Sequence, residues 1–258
     1  MLLALDIGNT NIHIGLWHSS EWGQTWRVRT VRDKMPDEYA VLLRDFLGGF
    51  DAVDAVVVSS VVPSLTGAFV EFCKNYLKID PLVVSSRIKT GIAIRVDQPE
   101  QVGADRIVNS VAAHTLYGGP AIIVDFGTAT TFDMIAHDGS YIGGSIAPGI
   151  GIARDALVGR AAQLYQVALQ PPPNPIGRNT THALQSGLFW GYIGLIEGLV
   201  NRLRDAMALE HANGQPIKVI ATGGLAPLFR EQTTVIDQIA PLLTLDGLRI
   251  LYELNQAT

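Results

Sequence analysis

Two stretches of this chain, Leu3–Trp17 (LALDIGNTNIHIGLW) and Ile122–Ala136 (IIVDFGTATTFDMIA), follow one plan. Each begins with an apolar strand that ends in Asp. One apolar residue, a Gly, a Thr-rich polar stretch and a second strand follow, so Asp6 corresponds to Asp125 and Gly8 to Gly127. A repeat at roughly half the chain length predicts two similar domains rather than one enlarged core. The Gly118-Gly119-Pro120 break sets the expected spans at 1–117 and 118–258.

Between the repeats, strands alternate with helices, which argues for an α/β fold. Trp26–Thr30, Ala55–Val62, Leu82–Val84 and Ile92–Val96 read as strands. Asp37–Leu47 places Tyr39, Leu42, Leu43, Phe46 and Leu47 on one helical face, and Gly48-Gly49 stops it. Leu65–Leu77 and Ala104–Tyr117 are further amphipathic helices. Cys73, at helical spacing from Phe69 and Leu77, reads as core. The second half repeats the grammar, with strands at 121–126, 130–136 and 140–146 and a helix from about Ile150. Gln170–Pro175 (QPPPNP) cannot be helix interior. A long helical pattern runs from Thr181 to Leu209, and Lys218–Ala221 is a strand that turns through Thr222-Gly223-Gly224 into another helix.

Composition narrows the function. The net charge is −5 with no Lys/Arg block, so no nucleic-acid partner is expected. No apolar run approaches the roughly 18 residues of a membrane span, and the N-terminus lacks the regions of a secretory signal. With one cysteine there is no internal disulfide, which fits a reducing cytoplasm. The six histidines are scattered without an HxxxH or Cys/His cluster. An essential divalent ion would therefore be held by oxygen, with help from a substrate phosphate.

The chain has neither a GxxxxGK[ST] loop nor a GxGxxG turn, so a bound nucleotide needs another cradle. Asp6-Ile7-Gly8-Asn9-Thr10 supplies one. A carboxylate at the end of an apolar strand calls for a partner, Gly8 lets a phosphate near the backbone, and Asn9, Thr10 and Asn11 offer amides and hydroxyls. The same residues also make an ordinary polar hairpin turn. Asp125–Thr131 (DFGTATT) repeats the chemistry with Thr128, Thr130 and Thr131. It is no protein-kinase signature, because no HRD loop precedes it. Two such hairpins are more specific than one, since together they can clamp a polyphosphate. Ala221–Ala226 (ATGGLA) is either an anion- or base-accommodating turn or a plain strand-to-helix turn, and Gly143–Gly149 is equally open.

Four segments in this order, DIGNTN (6–11), GADR (103–106), DFGTATT (125–131) and TGG (222–224), resemble the type III pantothenate kinases, and GGSIAPG (143–149) and GRNT (177–180) fit as well. The resemblance spans nearly the whole chain. It implies the acetate and sugar kinase/Hsc70/actin superfamily architecture: two ribonuclease-H-like (actin/hexokinase-like) α/β domains with a central cleft, usually as a homodimer. It implies ATP-dependent phosphorylation of the terminal hydroxyl of pantothenate to 4'-phosphopantothenate, the first step of coenzyme A biosynthesis. Carried over by motif, Asp6 organises the Mg2+–phosphate site. Ile7, Gly8, Asn9, Thr10, Asn11, Ile12 and His13 form the ATP phosphate segment, and Thr128, Gly223 and Gly224 also meet ATP. Asp105 is the general base, and Gly103, Ala104, Asp105, Arg106 and Thr180 line the pantothenate pocket. Asp125 binds the monovalent cation, K+ or NH4+, that the family characteristically requires. One departure stands out: the family often has Tyr in an N-Y-x-N-P stretch before GADR, where this chain has Arg95-Val96-Asp97-Gln98-Pro99. Val96 can neither donate a hydroxyl nor stack.

At a helix N-terminus the dipole favours the ionised form of Asp105, which lowers its basicity. On its own, Asp105 also reads as a helix cap and Arg106 as a surface ion-pair residue. The helix after GRNT carries Gly187, Gly191, Gly194 and Gly198 on one face. Such a stripe predicts close approach of another backbone, inside the domain or across a dimer interface. The competing reading of the whole chain is a non-catalytic, ATP-binding regulatory protein on the same scaffold, and a second is another phosphotransferase or polyphosphatase of the superfold.

Overall fold

A computed structural model describes residues 1–161 and 163–256. The first half forms β1 (Leu2–Ile7), β2 (Asn11–His18), β3 (Glu21–Arg29), α1 (Pro36–Leu47), β4 (Ala55–Ser60), α2 (Pro63–Phe72), β5 (Leu82–Val83) and α3 (Ala104–Tyr117). The second forms β6 (Ala121–Phe126), β7 (Ala129–Ile135), β8 (Tyr141–Pro148), α4 (Ile150–Arg160), α5 (Thr180–Glu210), β9 (Lys218–Thr222), α6 (Ala226–Arg230) and β10 (Gln238–Ile239), and α7 (Leu243–Gln256) closes the described chain.

The strands make two five-stranded sheets, ordered β3-β2-β1-β4-β5 and β10-β9-β6-β7-β8. Read from the opposite edge, the second order is β8-β7-β6-β9-β10, the first order repeated. In each sheet the first three strands are antiparallel and the remaining pairs are parallel. The repeated hairpin is thus the core of a repeated ribonuclease-H-like unit. The chain divides into two compact units, one made of Met1–Tyr117 with the segment from Leu242 onward, the other of Gly118–Pro241. The C-terminal helix therefore belongs with the first unit, whereas sequence order had placed it with the second.

Strand alternation decides what each face carries. Leu3, Leu5 and Ile7 of β1, with Val56 and Val58 of β4, pack against Tyr39, Leu43, Leu65 and Phe69 of α1 and α2. Leu2 and Ala4, with Ala55 and Val57, pack against Ile107, Val108 and Val111 of α3 and Leu245, Leu248 and Leu251 of α7. The next residues on that second face are Asp6 and Ser59, directly paired in register. The second unit buries Ile122, Val124 and Phe126 of β6 beneath Phe189, Ile193, Ile196 and Val200 of α5.

Three local expectations change. Ile92–Val96 forms no strand; Gly91 (φ 75°) and the hydrogen bond from Thr90 Oγ1 to the Ile92 carbonyl (2.8 Å) turn the chain there. The helix expected over 65–77 begins earlier, with Pro63 in its first turn, and finishes as a π-helical turn at Cys73–Leu77. Cys73 is fully buried, and burial pushes its thiol up to about 12, as a core residue requires. β3 begins at Glu21, ahead of the apolar residues that marked it.

Candidate active site

The β1–β2 turn closes on itself through the Gly8 N–H, which donates to the Asn11 carbonyl at 3.0 Å. Thr30 braces it from β3's end: its N–H donates to the Thr10 carbonyl (2.9 Å) and its hydroxyl to the Gly8 carbonyl (2.6 Å). Asn9, Thr10 and Asn11 are exposed at the tip, while Ile7 and Ile12 are buried beneath it. Those two side chains belong to the core, so only their backbone can serve a ligand. Asp6 lies across from His13 in β2 and Ser59 in β4. Burial, then the nearby Arg27 charge, lowers the His13 pKa to about 4. The imidazole is neutral at pH 7 and contributes no positive charge to the site. The Ser59 hydroxyl is fully buried and has no hydrogen-bond partner among the described residues.

The second hairpin reproduces the arrangement. The Gly127 N–H donates to the Ala129 carbonyl at 3.1 Å, and Asp125 sits in register between Thr131 and Thr222. Gly149 donates its N–H to the Thr128 carbonyl at 3.1 Å, which fixes the turn from β8's end. Thr130 is buried and shares a hydrogen bond with the Tyr192 hydroxyl, so it is spent on the core.

Asp105 opens α3. Its Oδ1 accepts the Arg106 N–H at 2.8 Å, folding the carboxylate back over Gly103. A Cβ at position 103 would stand 2.6 Å from that oxygen, so glycine is what leaves room for it. Burial raises the Asp105 pKa, while the Arg106 N–H, the Arg106 charge and Asp105's own backbone pull it down. The net direction is upward, opposite to the expectation from the helix dipole alone. Desolvation of the carboxylate outweighs the helix terminus, which makes Asp105 a better base.

Beside this helix start lies a hollow of about 430 Å³, lined by Ser60, Ser85, Arg87, Glu100, Gly103 and Ala104 among others. It joins the carboxyl end of β4 to the first turn of α3, the place where open α/β sheets bind ligands. Val96, the departure from the family pattern, is not among its lining residues, whereas Val102 is.

In the second unit, Gly223 has φ 90°, and a Cβ there would lie 2.6–2.8 Å from the Phe126 backbone. The close approach that requires glycine is therefore to β6. Gly224 is exposed and remains available to a ligand. α6 that follows spans only Ala226–Arg230. Thr180 is exposed in the first turn of α5, next to Asn179, whose Oδ1 accepts the His182 N–H at 2.8 Å. The structure thus places Asp6, the 7–13 segment and Gly103–Arg106 in the first unit, and Asp125, Thr128, Thr180, Gly223 and Gly224 in the second. Sequence reading passed over Thr30 and Ser59; threonine and serine on strands carry no signal of a ligand, and only register reveals them.

Among the described residues there is no group of three or more His, Cys, Asp or Glu that could hold a metal by itself. The donors at Asp6 and Asp125 are carboxylate, hydroxyl and carbonyl oxygens. Such oxygen donors suit a hard cation that completes its shell with ligand or water oxygens.

The two repeated sheets define a protein of the actin/hexokinase-like fold class. The fold is shared with a protein described as a 2-dehydro-3-deoxygalactonokinase from Sinorhizobium meliloti (12% identity, TM-score 0.63, 100% of this chain and 98% of that one). It is shared too with a protein described as a Baf-family transcriptional activator from Campylobacter jejuni (20% identity, TM-score 0.60, 99% and 100%). The chain belongs to the type III pantothenate kinase family, whose model matches residues 2–202. Type III pantothenate kinases from Roseiflexus sp. strain RS-1 (51% identity, 100% of both chains) and Moorella thermoacetica (50% identity, 99% of this chain and 100% of the relative) align along essentially its whole length.

Proposed function

We infer that the protein phosphorylates pantothenate with ATP, the first step of coenzyme A biosynthesis. Family membership over the whole chain carries this reading. The desolvated Asp105, next in sequence to Gly103 and Ala104 of a ligand-sized hollow, supports it. Pantothenate would occupy that hollow with its terminal hydroxyl toward Asp105. The hydroxyl oxygen attacks the γ-phosphorus, the bond to the β-γ bridging oxygen breaks, and ADP leaves. The hydroxyl proton passes to the Asp105 carboxylate late, once the oxygen has become acidic. Arg106 balances charge beside it, and Thr180 is the proposed contribution of α5 to pantothenate binding.

The ATP phosphates are assigned to the exposed tip 8–11 with Asp6, and to Thr128 in the second hairpin. Gly224 is assigned to the nucleotide, and Gly223 shapes the turn that presents it. Asp6 would hold the Mg2+ that accompanies ATP, which neutralises phosphate charge. Asp125, with Thr131 and Thr222 alongside, would hold K+ or NH4+. A cytoplasmic location is proposed with them, since a chain with a single cysteine fits a reducing compartment. Steady-state ADP formation tests them together: turnover should require pantothenate and fall when K+ is replaced by Na+. ATP binding without turnover under any cation would instead favour the regulatory reading.

A homodimer is proposed through α5. Added Cβ atoms at Gly187, Gly191 and Gly194 would meet nothing within 4 Å. Gly198 is half-buried against Arg202, so the open part of the stripe is Gly187, Gly191 and Gly194, and within the second unit no backbone packs on it. Four helix-interior glycines each cost about 1 kcal/mol against alanine. A second copy packing backbone to backbone would offset that cost. Gly191→Leu should then convert dimer to monomer by light scattering while leaving the monomer's helix intact or firmer. A variant that remains dimeric at wild-type concentration would remove the stripe from the interface.

A further inference from the structure

Beyond Thr30 the chain runs back over the first phosphate turn. Two residues on, Arg32 Nη2 donates to Asn9 Oδ1 at 3.1 Å. The Ser64 hydroxyl, in the first turn of α2, reaches the Arg32 carbonyl at 3.5 Å. With Thr30 hydrogen-bonded to both sides of the turn, the guanidinium is presented at the tip from a braced backbone.

Arg32 is not alone. Arg29 pairs in register with Asn11, and Arg27 with His13, on the strand positions that lead to Asp6. None of these three arginines forms an ion pair with a carboxylate among the described residues. The whole protein carries a net charge of −5, yet three arginines occupy positions around this one turn, with Asp6 at its foot. Such a group of arginines attracts anions, and under the kinase reading the anion is the polyphosphate of ATP.

We propose that Arg32 binds the ATP polyphosphate at the Gly8–Asn11 turn and that Asn9 is its positioning partner. This rests on the kinase reading for the identity of the anion. The guanidinium has five N–H donors in a planar fork; one is spent on Asn9 Oδ1 and others can meet phosphate oxygens. The same hydrogen bond turns the Asn9 amide so that its NH2 group is left to donate. A lysine would keep the charge and lose the fork. Sequence reading missed Arg32 because it lies outside the DIGNTN segment and comes to it only through the β2–β3 hairpin.

The rival explanation is a surface arginine that merely steadies the turn. Calorimetry on the full chain separates the two, using MgATP and, as a probe without phosphates, adenosine. Arg32→Gln should weaken MgATP binding about 10- to 100-fold and leave adenosine binding within about twofold. Arg32→Lys should fall between that variant and the wild type. MgATP affinity within about twofold of wild type in Arg32→Gln overturns the proposal, as does an equal loss for adenosine. If Arg32→Gln lacks a cooperative melting transition, Arg32→Lys decides: a loss of about threefold or more supports the proposal and an unchanged affinity overturns it. Pantothenate-dependent ADP formation by the wild type is measured alongside. Its absence sinks the kinase reading, whereas normal turnover with normal MgATP binding in the variants sinks only the role of Arg32.

Discussion

Asp105→Asn should lower kcat by about 10²- to 10⁴-fold, the usual contribution of a positioned general base, with MgATP affinity nearly unchanged. The substitution keeps the shape over Gly103 and removes the charge. It should not weaken the fold, and the sign follows from the upward pKa. A buried carboxyl whose folded pKa exceeds its unfolded value favours folding most below the unfolded pKa. That contribution is lost as pH rises through the folded pKa. At neutral pH the ionised group is a burden, so the asparagine variant should melt at the wild-type temperature or above it, and the gap should close toward acid pH. In the wild type, kcat/KM should rise with pH along a limb whose midpoint lies above the ordinary carboxylate value. An asparagine variant retaining more than about a tenth of wild-type turnover would remove Asp105 from the chemistry.

Gly223→Ala should produce a large loss of stability, because crowding and a left-handed backbone act together at this turn of the second unit. The new methyl meets backbone atoms of Phe126 at 2.6–2.8 Å, and φ 90° is strained for any residue with a Cβ. Backbone cannot swing aside as a side chain can, so β6 and β9 must part at the point where Asp125 and Thr222 pair. A cost of about 2–4 kcal/mol, or about 10 °C in Tm, is expected by calorimetric melting. Gly224→Ala is the informative control. At that exposed position the melting should hardly move, while KM for ATP should rise if the nucleotide lies there. Equal melting of both variants and wild type would mean that the β9 turn is not built as described.

Much of the fold was legible because its signals are local. The Asp-x-Gly pairs marked both hairpins, and the Gly118-Gly119-Pro120 break fell where α3 gives way to β6. The 3.6-residue pattern and GRNT marked α5 within a residue of each end. What failed was long-range. Nothing in the order of elements shows that α7 packs on α3 and β1, since a helix's apolar stripe does not say which sheet will cover it. The apolar residues Ile92, Ile94 and Val96 alternate like a strand, but they lie after a left-handed glycine and find no ladder beyond a single bridge at Ile94. The direction of the Asp105 pKa was misjudged for the same reason: a helix terminus can be read from sequence, and desolvation cannot. Ser59 and Arg32 entered the site only through strand register and a turn folding back. The glycine stripe was visible as a pattern, and only the structure shows that Gly187, Gly191 and Gly194 are exposed.

Phosphorus NMR of the reaction mixture tests the central claim most directly. Purified protein with MgATP, K+ and pantothenate should yield ADP together with a new phosphate monoester split by an adjacent CH2, in equal amounts, and neither should form without pantothenate. ADP appearing with free inorganic phosphate, or no ester under any cation, would contradict a kinase that delivers its phosphoryl group to the pantothenate hydroxyl beside Asp105.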